Sequence, residues 1–201
     1  MGANATTFVP SYTSGEVLTA ANLSVTNSGI PVFATTVTRD AAFGGTGEKT
    51  LAEGQFAYIE ATDNTQYYNG TSWINIVSQA AVDYVATSQS ATLTAYTALA
   101  TASSVTLTTG TRALVTVSCV ATTNNTGLTG KMGFSISGAT TTAASDAFAT
   151  SAKLTSGATQ TMSASFPVTL TAGSNTFTTL FSCDFGGNFT CSNRTISVLV
   201  Y

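Results

Sequence analysis

The chain has 201 residues, enough for one large domain or for a small one joined to a medium one. Hydrophobic residues make up 43% of it and charged residues only 7%, against about 25% in an ordinary soluble domain, so hydroxyls and amides must carry its solubility. Net charge is -3 and the six basic residues (Arg39, Lys49, Arg112, Lys131, Lys153, Arg194) are scattered, which excludes a nucleic-acid surface, and the lack of a long apolar run argues against a membrane span.

Residues 1–36 read as an extended arm. The first residues lack the charged and apolar regions of a secretory signal. Pro10 holds its neighbour extended, and Ser14 to Leu23 has the pattern of a short helix, with Ser14 as N-cap and Glu16 in the first turn. Phe8, Val9, Tyr12, Val17, Leu18, Ile30, Val32 and Phe33 are apolar points with little local core, as expected of an arm that docks on another body.

Residues 37–77 predict a small aromatic meander. Thr38 is placed to cap one helical turn, and the glycines at 44, 45 and 47 form a joint that lacks the phosphate-loop pattern. Runs at 54–60, 66–68 and 72–76 read as strands, with Asn69-Gly70 as a two-residue hairpin turn. Tyr67, Tyr68 and Trp73 make an aromatic group that either forms a mini-core, with Trp73 on Tyr58 or Tyr68, or stacks on sugar rings.

Residues 78–91, rich in Ala, Ser, Gln and Val, read as a linker or a first edge strand. Threonine is about a fifth of the chain, and its branched Cβ favours strands. Residues 92–201 then supply eight candidate strands, near 92–98, 103–109, 112–122, 131–138, 147–154, 159–170, 175–185 and 189–201. That count suits an all-β, jelly-roll-like sandwich. Phe166, Phe177, Phe181, Phe185 and Phe189 make the strand faces unusually apolar, and burial between identical copies would account for them.

Catalytic chemistry is sparse. Without histidine there is no Ser-His-Asp triad, Cys-His pair or zinc set, and no cofactor or metal motif is present. Glu60, Asp63, Asp146 and Asp184 are the acids from which a glycosidase pair could be assembled, though none sits in a local motif. The chain is therefore expected not to be an enzyme. Of the three cysteines, Cys183 and Cys191 flank a Gly186-Gly187 turn, where they either form a disulfide or fill strand core as small hydrophobes.

The segments SGEVLTAANLSVTNSGIPVFATTVTRDAAF (14–43) and EGQFAYIEATDNTQYYNGTSWINI (53–76) resemble the N-terminal part of tailed-bacteriophage virion proteins. TTAASD (141–146) and LTAGSNTFTTLFS (170–182) are similar to the β-sandwich that follows in them. This resemblance implies a homotrimeric structural protein on a virion surface, made in a host cytoplasm and partnered by a major capsid protein or tail lattice. It further implies a capsid decoration (cement) protein anchored by its arm, or else a short tail or head fibre that binds host-surface glycans.

Overall fold

The computed structural model describes residues 9, 14–17, 19–20, 29–46, 48–76, 78–185 and 187–201. The chain divides into two compact units, Met1–Val77 and Ser78–Tyr201.

In the first unit, β1 (Val32–Phe33) runs parallel to β2 (Phe56–Ile59), followed by β3 (Asn64–Tyr68) and β4 (Trp73–Asn75) in one sheet of order β1-β2-β3-β4. Between β1 and β2 lies the five-residue helix α1 (Thr36–Asp40). Its cap is Thr35, not Thr38: the Thr35 hydroxyl accepts from the Thr38 amide at 3.2 Å, and the Thr38 hydroxyl accepts from the Thr35 amide at 3.0 Å. Threonine fills both halves of the capping box, so the helix starts earlier than a single cap at Thr38 predicts. The hairpin turn falls one residue beyond the expected Asn69-Gly70: the Asn69 amide donates to the Ser72 carbonyl at 3.0 Å, Gly70 and Thr71 make the turn with Gly70 at φ 90°, and the Asn69 carboxamide accepts from the amides of Thr71 and Ser72. The small core holds Val9, Phe33, Ala42, Ala57 and Ile59, with Phe43 and Trp73 packed against it.

Of the helix expected at 14–23, residues 18 and 21–23 lie outside the described residues; Ser14 and Gly15 form a turn, and Glu16, Val17 and Thr19 are not helical. Val32 and Phe33 belong to β1, so the arm reading fails there: these residues are part of the unit's own sheet.

The second unit contains β5 (Ala80–Val85), β6 (Gln89–Ala91), β7 (Ser104–Thr109), β8 (Arg112–Thr123), β9 (Thr129–Gly138), β10 (Ala149–Lys153), β11 (Thr159–Thr169), β12 (Gly173–Cys183) and β13 (Phe189–Val200). β13 pairs with β5 and β6, β12 with β7, β11 with β8, and β10 with β9, all antiparallel. Those pairings nest like one long hairpin. Rolling the hairpin over adds the β8–β13 and β9–β12 ladders and gives two sheets, β11-β8-β13-β5 and β10-β9-β12-β7. This is a jelly-roll-like sandwich.

Alternation at period two fills the space between the sheets. Val115, Val117, Cys119 and Ala121 of β8 point inward, as do Ile196 and Val198 of β13, against Met132, Phe134, Phe177 and Phe181 of the other sheet. Gly130 exists for Phe189: a Cβ there would stand 2.2 Å from the phenylalanine ring. Seating that ring out of water is worth roughly 2–3 kcal/mol.

Two expectations are corrected. Residues 78–91 are not a linker, because β5 and β6 pair along β13 as the sheet edge. The inner-face side chain Asp83 also ties this edge to the other sheet, accepting from the Ser104 amide at 2.8 Å. The strand expected at 92–98 is reduced to a single bridge, Thr97 to Phe181, so the eighth strand position comes from 80–91 instead.

Candidate interaction surface

The phenylalanines expected to lie between copies are otherwise employed. Phe177, Phe181 and Phe189 are wholly buried in the sandwich, and Phe166 packs on Phe134 and Phe148 with ring centroids 5.9 and 6.3 Å away. Only Phe185 of that set is exposed. Those residues therefore give no argument for self-association, since one chain alone buries them.

A different surface does. The outward side chains of the β11-β8-β13-β5 sheet line up in register across the strands. Leu114 faces Leu199 and Pro167, with Ala80 beyond Leu199. Thr116 faces Ser197 and Ser165, with Val82 beyond; Ser118 faces Thr195 and Ser163, with Tyr84 beyond. Val120 with Ser192 and Thr161, then Thr122 with Thr190, Thr159 and Ser90, continue the pattern. No side chain in these rows is charged. From Leu114 to Thr122 the face is about 27 Å long.

Its edge is markedly apolar, with Val82 66% and Tyr84 57% exposed. The hydroxyls pair among themselves, Thr116 Oγ1 with Ser165 Oγ at 2.8 Å and Ser90 Oγ with Thr190 Oγ1 at 2.7 Å, which lowers the cost of removing them from water. Pro167, lacking an amide hydrogen, sits on the edge strand β11, where a ladder bond is not required.

The uncharged rows are bounded by Arg112, exposed on the same face and opposite Thr169 one row before Leu114; the opposite sheet carries two lysines. Lys131 and Lys153 project from β9 and β10, and Lys131 Nζ lies 2.7 Å from Asp146 Oδ2. Tyr96 donates to the other oxygen of Asp146 at 2.8 Å. The hydrogen bonds from Lys131, then Tyr96, hold the Asp146 carboxyl below its usual range. Burial and the Asp146 bond push the Tyr96 phenol upward. Asp184 accepts from the Thr129 amide at 2.9 Å. In the first unit Asp63 accepts from the Tyr58 hydroxyl, which raises the Tyr58 pKa. Asp146, Asp184 and Asp63 each serve a local structural bond, and among the described residues no group of three or more metal-ligating side chains occurs.

The arm residues separate into three sets. Val9 and Phe33 are buried in the first unit's core and are thereby removed as docking points; Val32 is half-buried in β1. Val17 and Ile30 are exposed. Phe8, Tyr12 and Leu18 lie outside the described residues.

The aromatic group also divides. Tyr68 and Trp73 pair across β3 and β4 with centroids 5.6 Å apart, Phe43 lies 5.9 Å from Trp73, and the Arg39 guanidinium covers the indole at 4.6 Å. Trp73 is thus packed by its own unit, in the mini-core role. Tyr67, one residue from Tyr68, faces the other way and lines up with Phe56 and Ile74 in an exposed row.

Sequence reasoning missed a buried cluster. The β8–β13 register breaks between Ser192 and Thr195, with Asn193 at φ 49°, and this bulge turns Arg194 into the core. Arg194 donates to the Thr101 carbonyl at 2.9 Å, while its Nε has no partner. Nearby, the Sγ atoms of Cys119 and Cys191 are 3.7 Å apart. Burial, then the Cys119 contact, pushes the Cys191 thiol up, and burial lowers the Arg194 pKa. All three cysteines are free thiols, and the Cys183 thiol faces backbone carbonyls of Leu93 and Phe185, so the Cys183–Cys191 disulfide does not form.

No family model matches the chain, and no curated protein matches it. Among solved structures it is similar to Eiger TNF from S. frugiperda, at 12% identity and TM-score 0.45, over 62% of this chain and 92% of that one. Infectious bursal disease virus of the Gx strain matches at 13% identity and TM-score 0.42, and a mutant VP2 protein of that virus in T=1 particles at 12% and 0.46. Each viral match covers 68% of this chain and 38% of the other, so this chain spans well under half their length. The nested pairing of β5 to β13 independently defines the fold as an all-β jelly-roll-like sandwich.

Proposed function

We propose that this chain is a structural protein of a virion, a homotrimer whose second unit associates through the uncharged face of the β11-β8-β13-β5 sheet. The single observation that carries this reading is the contrast between the two sheets: one outer face runs five rows without a charge, with Arg112 only at its margin, while the other bears Lys131 and Lys153. A sheet face that meets only water in a chain of 201 residues has no need to exclude charge. A face buried against copies of itself does.

The particular role is capsid decoration. The first unit is the anchoring part, offering Val17, Ile30 and the exposed row Phe56, Tyr67 and Ile74 to the shell. Burial of such side chains in grooves of a capsid lattice stabilises the shell. Capsids assembled with and without the protein test this. Decoration predicts that bare capsids lose resistance to heat while adsorption to cells is unchanged; loss of adsorption with unchanged heat resistance would establish a fibre in its place.

A further inference from the structure

Arg194 is a cation in the sandwich core without a counterion. It is wholly buried and meets only carbonyl oxygens, that of Thr101 at 2.9 Å and that of Cys191 at 3.5 Å. Its Nε has no partner, and among the described residues no carboxylate pairs with it. We propose that Cys119 and Cys191 bind one soft monovalent cation, Cu(I), between their sulfurs, with Arg194 as the counterion of the site.

The two thiols come from neighbouring strands, β8 and β13, and are buried with their Sγ atoms 3.7 Å apart. The bulge after Ser192 sends Arg194 inward beside them, close enough that the charge of either sulfur acts on the guanidinium. A cation held between two sulfurs at about 2.3 Å each sets them roughly 4.6 Å apart, so the pair has to open by about 0.9 Å. A disulfide would instead have to draw the sulfurs together to about 2.05 Å, and, being neutral, would leave Arg194 without an anion.

Binding exchanges protons for metal. Both S–H bonds break, two S–Cu bonds form, both protons pass to the buffer, and copper keeps its single positive charge. Two thiolates and one Cu(I) sum to one negative charge, so the cluster with Arg194 goes from one net positive charge to none. An unpaired buried guanidinium is costly, and the bound metal removes that cost. Thiolate donors select soft Cu(I). Zinc is not suited, because it takes four ligands and no third Cys, His, Asp or Glu joins the pair among the described residues.

The way in is the sheet edge. Cys191 pairs with Gln89 of β6, and the Gln89 carboxamide accepts from the Thr101 amide at 3.0 Å and donates to the Thr101 hydroxyl at 3.2 Å, closing this segment over Arg194. β6 has three residues and its ladder is with β13 alone, so this edge opens locally while the long β8–β13 ladder stays formed. The inference does not depend on how the chain assembles or on what it attaches to.

The test is an anaerobic titration of the reduced full chain with Cu(I), supplied as its acetonitrile complex, with a chromophoric chelator as competitor. Native mass spectrometry should show one copper per chain with the loss of two protons, and X-ray absorption should show two sulfur neighbours. The melting temperature should rise by about 5–10 °C. Cys183→Ala should bind as the parent does, whereas Cys119→Ala and Cys191→Ala should each lose the copper. Arg194→Met, of similar size and uncharged, should bind at least about tenfold more weakly. The cysteine variants truncate small side chains, so they decide the site whether or not Arg194→Met folds. No copper retained, copper retained by Cys119→Ala, or a third ligand in the absorption spectrum would each overturn the site. Unchanged affinity in Arg194→Met would overturn the role of the guanidinium.

Discussion

Leu114 of β8 and Leu199 of β13 stand directly opposite each other on the outside of the sandwich, and Leu199 is exposed although the inner face of the same strands already fills a core. Two leucines paired towards solvent, with four uncharged rows on one side of them and Arg112 on the other, lie in the proposed contact face. One row along, Thr116 faces Ser197. The double variant Thr116→Asp/Ser197→Asp places like charges at the centre of this face. It should weaken self-association by about 100-fold, the equivalent of about 3 kcal/mol, while the far-ultraviolet circular dichroism stays that of the parent. Sedimentation velocity over a concentration series reads the effect.

The first unit depends on Arg39, whose side chain reaches Asp40 at 2.6 Å, donates to the Gln66 carboxamide oxygen and covers Trp73. Arg39→Ala removes the cation over the indole and leaves the half-buried Gln66 oxygen short of a donor. The first unit should lose about 2 kcal/mol of stability. Trp73 is the chain's one tryptophan, so its fluorescence during urea unfolding follows this unit alone. An unchanged midpoint would show that Arg39 is not what holds the meander to α1.

The three thiols should be silent in the folded chain. Cys119, Cys183 and Cys191 are all buried, and burial holds the Cys191 proton on. Ellman's reagent should therefore label none of them in native protein and all three after denaturation, with or without prior reduction. Fewer than three after denaturation without reductant would reveal a disulfide. Cys119→Ala should cost about 1 kcal/mol as a small core truncation, and serine at the same place should cost more, because its hydroxyl would be buried among apolar neighbours.

Acid should act through Asp146. Its folded pKa lies below the ordinary value of 3.8, so its contribution is present above about pH 4 and is lost as pH falls through the folded pKa. Thermal stability should be flat in this respect from neutrality to about pH 4 and decline below it. Lys131→Met removes the main hydrogen-bond partner of Asp146 and should flatten that acid decline. At the alkaline end the sign is reversed for Tyr96: its raised folded pKa means stability is complete below about pH 10 and falls above it. Tyr96→Phe should remove that component, as thermal melts across the alkaline range would show.

Much of the second unit is visible in the residues, because its strands obey period two and its turns use Gly and Asn. The tail 189–201 becomes β13 within one residue of its expected end, and the run at 112–122 becomes β8. The edge strand at 80–85 was ambiguous because its outward Val82 and Tyr84 look like core, while its inward Asp83 looks like surface. Asp83 is inward because it has a specific partner in the Ser104 amide, and sequence patterning carries no trace of that. Arg194 is hidden for a related reason: only the bulge at Asn193 shifts the alternation and sends a guanidinium inside. The uncharged face was also missed, since its unity lies in register across β11, β8, β13 and β5, which are far apart in the chain. The phenylalanines are the strongest apolar signal in the residues, and Phe177, Phe181 and Phe189 are buried by the closed sandwich itself.

The most direct test is the mass of the full chain in solution by light scattering during size-exclusion chromatography, at several loading concentrations. The account predicts three times the chain mass, and the chain mass alone for Thr116→Asp/Ser197→Asp. A monomer at every concentration for the unaltered chain would contradict it, and the uncharged sheet face would then need a partner other than itself.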